Sequence, residues 1–179
     1  DKVGSSSKDV EAGKRVYYSF DITNKGNAVD TFNLAIDVSS LPTGWAADLE
    51  QTKVSNLGVD ENITLTEVLV VKAPDDAVAD IEVSIVVTIS SDYNDSVNST
   101  YTSRSTVLQN YEPKVSIVSE DTMSAKPEEQ VNFTIKITND GNGDDDIALA
   151  LIGGNASWGQ LGDSAFTLEA GTNSTTTLR

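Results

Sequence analysis

A chain of 179 residues that sets 28 acidic side chains against 12 basic ones carries a formal net charge of −16 and holds no cluster of Lys or Arg. A phosphate backbone needs clustered cations, so nucleic acid is excluded as a partner, and direct contact with an anionic membrane surface is disfavoured for the same reason. With no Cys there are no disulfide staples, and with no His this segment cannot build a Ser-His-Asp triad, a Cys-His pair or a His-bearing zinc site.

The length suits two small β-sandwiches of ~80 to 100 residues each. The opening DKVGSSSKDV lacks an apolar signal core, and no run of 18 apolar residues follows anywhere. A signal or membrane anchor is therefore expected outside this segment. In chain order, VYYSFDI alternates so that Val16, Tyr18, Phe20 and Ile22 share one face and Tyr17, Ser19 and Asp21 the other. DTFNLAIDV does the same with Phe32, Leu34, Ile36 and Val38. ITLTEVLVVK is less regular, because Glu67 falls in register with Leu65 and Leu69, and a bulge or an edge position is expected there. ADIEVSIVVTI sets Ile81, Val83, Ile85, Val87 and Ile89 against Asp80, Glu82, Ser84 and Thr88, and TYTSRSTVL supplies a further strand. No segment has a helical period, and Gly, Pro, Asn and Asp fill the gaps. The fold expected is all-β: tandem Ig-like antiparallel β-sandwiches.

The tandem reading rests on a repeat. TNKGNAVDTFNLAI, from Thr23 to Ile36, returns as TNDGNGDDDIALAL, from Thr138 to Leu151. Aligning Val16–Ile36 with Val131–Leu151 at the offset of 115 gives nine identities in 21 positions, among them Thr23/Thr138, Asn24/Asn139, Gly26/Gly141, Asn27/Asn142 and Asp30/Asp145. Chance explains this poorly, and a duplicated module explains it well. The expected division is residues 1–109 and 110–179, with QNYEP as the linker and KVSIV opening the second copy. At the same offset the counterpart of KVSIV falls at about Asp1 or before, so the first copy is expected to begin partway through its first strand. The second copy ends before any counterpart of ADIEVSIVVTI or TYTSRSTVL. Its apolar face is then expected to be completed from outside, by a strand from another chain or by residues beyond Arg179.

The order of an alternating strand, an Asn-x-Gly-Asn turn, an Asp-x-Phe-x-Leu strand, LPTGW, a Leu-Gly turn and a strand ending in KAP resembles the Ig-like surface modules called CARDB, and the related Ig-like domain attached to alpha-galactosidases. The resemblance covers nearly all of the first copy and the first half of the second, where Trp158 stands near the place of Trp45 but no Pro-x-Gly precedes it. It implies a noncatalytic spacer or adhesion module of an extracellular protein, S-layer-like or stalk-like, from an archaeon or bacterium. Its implied partners are neighbouring modules or other surface proteins, and glycans.

Candidate chemistry concentrates in NDGNGDDD. Asp140, Asn142 and Asp144 alternate as calcium ligands do, with Asp146 next in step, but an EF-hand needs Gly and then Glu where this chain has Asp145 and Leu151. A looser calcium site stands against a plain tight turn, and no other cofactor is indicated. Trp45 and Trp158 are readable as sugar-stacking platforms, but recurrence near one place favours packing over the core. Carboxylate pairs such as Asp75-Asp76 lie in turn sequence, with no apolar cleft to make one a general acid, so no enzyme is expected. Six of 13 Asn residues stand in glycosylation sequons: Asn62, Asn94, Asn98, Asn132, Asn155 and Asn173. All are expected at loops, strand starts or outward positions, which suits a secreted or cell-surface protein. The alternative function is an accessory or carbohydrate-binding module of a secreted glycosidase or protease.

Overall fold

The structure, a computed structural model, describes residues 4–179, so the expected first-strand counterpart around Asp1 lies outside the described residues. The chain divides into two compact units, Asp1–Leu108 and Gln109–Arg179. Among the described residues no helix is long and apolar enough to cross a membrane.

Among the described residues unit 1 contains eight strands: β1 (Ser7–Val10), β2 (Arg15–Thr23), β3 (Asp30–Ile36), β4 (Ala46–Leu49), β5 (Lys53–Leu57), β6 (Asn62–Lys72), β7 (Glu82–Ser91) and β8 (Asn98–Val107). They form a five-stranded sheet in the order β1-β8-β7-β3-β5 and a three-stranded sheet in the order β2-β6-β4. The apolar sets of the two sheets meet in one core that contains Tyr18, Phe20, Leu69, Val71, Ile85 and Val87. Period-two alternation produces this directly: Val16, Tyr18, Phe20 and Ile22 are buried, while Tyr17 is exposed. The pattern breaks at its ends. Val38 and Ile81 lie beyond the strands that carry their neighbours and are exposed, since alternation governs a side chain only while the backbone stays pleated. One ladder also departs from an antiparallel plan, because β1 pairs with β8 in parallel, from Ser7↔Arg104 to Val10↔Val107. Parallel pairing needs a long crossover, and nearly the whole unit separates these two strands.

The irregularity at Glu67 is a bulge. Tyr18 pairs with Leu69 but Phe20 with Leu65, so β6 spends extra residues there, and Glu67 takes a left-handed φ of 51°. Its N–H donates to Ser19 Oγ at 2.8 Å, which replaces the lost ladder bond. The turn of register lets the Glu67 side chain point outward while Leu65, Val68 and Leu69 stay buried.

Unit 2 contains β9 (Pro113–Ile117), β10 (Phe133–Asn139), β11 (Asp145–Ala148), a single 3-10 turn (Ala156–Trp158), β12 (Ala165–Leu168) and β13 (Asn173–Leu178). Its sheets are β13-β10-β9 and β11-β12. Ile135, Ile137, Ile147 and Leu168 form the core, flanked by Phe133, Leu149, Phe166 and Leu178. This core is much smaller than that of unit 1. The edge of β11 away from β12 carries no strand, whereas β3 in unit 1 is held on both sides, by β5 and β7.

Candidate functional site

The repeated sequence builds one constellation twice. Asn24, the residue after β2, is buried, and its Nδ2 donates to the Ala28 and Leu57 carbonyls, each at 2.8 Å. Its Oδ1 accepts the Gly26 N–H at 2.8 Å. On the backbone, Asn24 N–H donates to Glu61 O at 3.0 Å and Asn24 O accepts from Asp60 N–H at 2.8 Å. In unit 2 Asn139 is also buried, and its Nδ2 donates to Gly143 O at 2.8 Å and Leu168 O at 3.0 Å. Its Oδ1 accepts Gly141 N–H at 2.9 Å, its N–H donates to Thr172 O at 3.0 Å, and its carbonyl accepts from Gly171 N–H at 2.8 Å. Only a neutral amide supplies two donors and an acceptor at one point, so Asp or Leu cannot replace it here. The partner strand sits closer in sequence in unit 2: Leu57 corresponds to Leu168 rather than to position 172, so the constant offset of 115 fails after β11.

The four acidic-loop residues point to separate partners. Asp140 Oδ2 takes an ion pair from Lys114 Nζ at 2.6 Å, and Asn142 Oδ1 accepts the Asn110 N–H at 2.6 Å. The Asp144 carbonyl accepts from Gln109 Nε2 at 2.6 Å, and Asp146 Oδ1 accepts from Thr167 Oγ1 at 2.6 Å. Among the described residues no group of three acidic side chains is gathered as a metal site. The QNYEP segment expected as a linker is bonded into unit 2, since Asp140 N–H also donates to Glu112 O at 3.0 Å. Beside Asp140 and Glu112, the Lys114 ammonium is held above its usual pKa.

Asn62, Asn94, Asn98, Asn132, Asn155 and Asn173 are all exposed. Asn62 Nδ2 donates to Thr23 Oγ1 at 2.8 Å, and Asn94 Oδ1 accepts from Ser96 N–H at 3.1 Å. The two tryptophans behave differently: Trp45 packs against the unit 1 core, but Trp158 is 82% exposed. The shared-packing expectation is therefore wrong for Trp158. It sits in a 3-10 turn with no buried residue, and no LPTG sequence turns it inward. Asp75 and Asp76 are exposed in their loop. Hydrogen bonds from Ser39 lower the pKa of Asp37, while the Asn33 amide and then Lys53 lower that of Asp92.

Sequence reading missed a cleft of about 720 Å³ in unit 1, open between the free edge of β2 and the first half of β8. Phe20, Ile22, Phe32, Ile89 and Tyr101 supply its apolar wall. Phe20 and Tyr101 stack with ring centroids 4.6 Å apart. The Tyr101 hydroxyl is buried without a hydrogen-bond partner, and desolvation raises its pKa. The signal was present in TYTSRSTVL, where Tyr101 shares the inward parity of Ser103 and Ser105.

No protein-family model and no curated protein matches this chain. Among solved structures, it is similar to the class 5 fimbriae chaperone CfaA at 14% identity and a TM-score of 0.35, over 94% of this chain and 79% of that one. A chaperone-tip adhesin complex of CFA/I fimbriae biogenesis matches at 14% identity and 0.34, over 96% and 82%. The secreted serine protease VesC from Vibrio cholerae matches at 11% and 0.41, over 96% of this chain but 44% of that one. Likeness at this level carries no functional weight.

Proposed function

We propose that this chain is a pair of consecutive Ig-like β-sandwich modules, copies of one another, from a longer extracellular protein in which such modules act as noncatalytic spacers and adhesion units. The observation that carries the reading is the buried amide clamp of Asn24 and Asn139, with matching bonds at both sites. A shared constellation of this kind serves architecture, because all its polar atoms are consumed within the fold. The acidic, cation-poor surface and six exposed sequons support an exterior setting, S-layer-like or stalk-like, with other modules or glycans as partners. The test is labelling of intact source cells with a membrane-impermeant amine reagent. Exposed lysines such as Lys25 and Lys53 should be modified without lysis, and labelling only after lysis would overturn the exterior assignment.

One observation favours a second reading, an accessory sugar-binding module of a secreted hydrolase. Trp158, 82% exposed, offers a flat apolar face of the type on which sugars stack. Saturable quenching of its fluorescence by an oligosaccharide, lost in Trp158→Ala, supports that reading, and no response across a glycan panel removes it.

A further inference from the structure

The two units differ at one edge. In unit 2, β9 lies antiparallel along β10, with Ile117 opposite Ile135, Val115 opposite Ile137 and Pro113 opposite Asn139. The corresponding positions on and just past β2 are Phe20, Ile22 and Asn24, yet among the described residues β2 ends its sheet with no strand on that side. The 720 Å³ cleft opens along this edge, and Val97 at its rim is 60% exposed.

Three further features show a prepared seat. The first is Gly141, where a Cβ would come within 2.3 Å of the Asn110 carbonyl, because the segment leading into β9 crosses directly over it. Gly26 is also glycine, but its φ is not left-handed and a Cβ there would meet only the side chain of Asn24, at 3.0 Å. The second is Asn142, whose Oδ1 holds the Asn110 N–H of that crossing segment, while its identical counterpart Asn27 is exposed. The third is Tyr101, which lines the cleft and whose buried hydroxyl has no hydrogen-bond partner.

Charge then selects the occupant. Lys114 of β9 pairs with Asp140 at 2.6 Å, but unit 1 has Lys25 in the place of Asp140. Lys25 meets Asp60 at 3.1 Å with both side chains 74% exposed, a pairing too solvated to hold it from a closer partner. A lysine at the β9 position would repel Lys25, and an acid there would pair with it.

We propose that the cleft of unit 1 receives a β-strand by edge addition: the linker strand leading into the module in the same polypeptide array, antiparallel to β2, crossing over Gly26 and carrying an acidic side chain at the Lys114 position, diagonal to Lys25. This rests on reading the units as copies, and it adds main-chain hydrogen bonds for affinity and alternate side chains for specificity.

The test extends the full chain ahead of Asp1 with QNYQPKV or QNYQPEV, which restores the β9 register with lysine or glutamate at the Lys114 position, opposite Thr23 and diagonal to Lys25, and removes the second acid at the Glu112 position. Hydrogen exchange at Phe20–Asn24 should slow by about tenfold or more in the glutamate form and less in the lysine form. In Lys25→Asp, a surface change that leaves the core intact, the preference should reverse. Equal protection by both extensions, or none by either, overturns the proposal. Protection by the free QNYQPEV peptide at about 10 μM, equal to that by the fused one, overturns the assignment to the same polypeptide, because fusion should supply a local concentration on the order of millimolar. The copy reading fails separately, if Gly141→Val leaves β9 seated on β10.

Discussion

Replacing Asn24 with Ala should remove three hydrogen bonds from a buried corner: those to Ala28 O, Leu57 O and from Gly26 N–H. At about 1 kcal/mol each, the loss is about 3 kcal/mol, and it rises if the two carbonyls stay dry and unpaired. For a unit of roughly 100 residues this lowers the melting temperature by roughly 12–24 °C. Asn139→Ala should cost unit 2 a similar amount, since its three side-chain bonds match. Asn24→Asp separates the donor role from the acceptor role. The carboxylate still accepts from Gly26 but opposes two carbonyls, so its folded pKa is raised. The sign follows: stability in that variant is highest at acid pH, where the protonated group can donate, and is lost as pH rises through the folded value. The assay is denaturant unfolding of the full chain, with hydrogen exchange read separately in each unit. A loss below about 1 kcal/mol at either Asn would refute the clamp as the shared structural device.

Tyr18 is buried and donates to Arg104 O at 2.5 Å, with Ser105 Oγ at 2.8 Å, and desolvation raises its pKa above the ordinary 10.0. Unit 1 should therefore hold its full Tyr18 contribution below that value and lose it as pH rises past it. Tyr18→Phe should lower stability at neutral pH and flatten the alkaline loss in a pH series of melting curves. Lys114 behaves alike in unit 2: its raised pKa means its contribution persists below the ordinary 10.5 and fades above it, and Asp140→Asn should remove part of that dependence. Phe20→Ala should open the core beneath the cleft and break the stack on Tyr101, costing about 3–5 kcal/mol by urea unfolding.

Where period-two alternation was strict, the strands and their buried faces were legible, as in β2, where Val16, Tyr18, Phe20 and Ile22 all face the core. Glu67 was legible as a defect because a charged residue cannot share parity with Leu65 and Leu69 without a bulge. The partners of β1 were not legible, because parallel pairing across the whole unit leaves no local mark in four residues. The clamp was half legible. Repetition marked Asn24 and Asn139 as fold-serving, but Leu57 and Leu168, whose carbonyls they bind, lie at a different spacing in each unit. Trp158 misled because recurrence in sequence was read as recurrence in packing, whereas the chain around it forms a short surface turn. The acidic loop looked like a ligand set only while its side chains had no assigned partners. Lys114, Asn110 and Thr167 take three of them, and none of those contacts has a local spacing to announce it.

The most direct test of an extracellular module is glycopeptide mass spectrometry of the protein isolated from its native source. Asn62, Asn94, Asn98, Asn132, Asn155 and Asn173 are all exposed, so a glycosylating exterior pathway would find each within reach. The account predicts glycans on several of the six and on none of the buried Asn24 and Asn139. Six unmodified sequons in native material would contradict it.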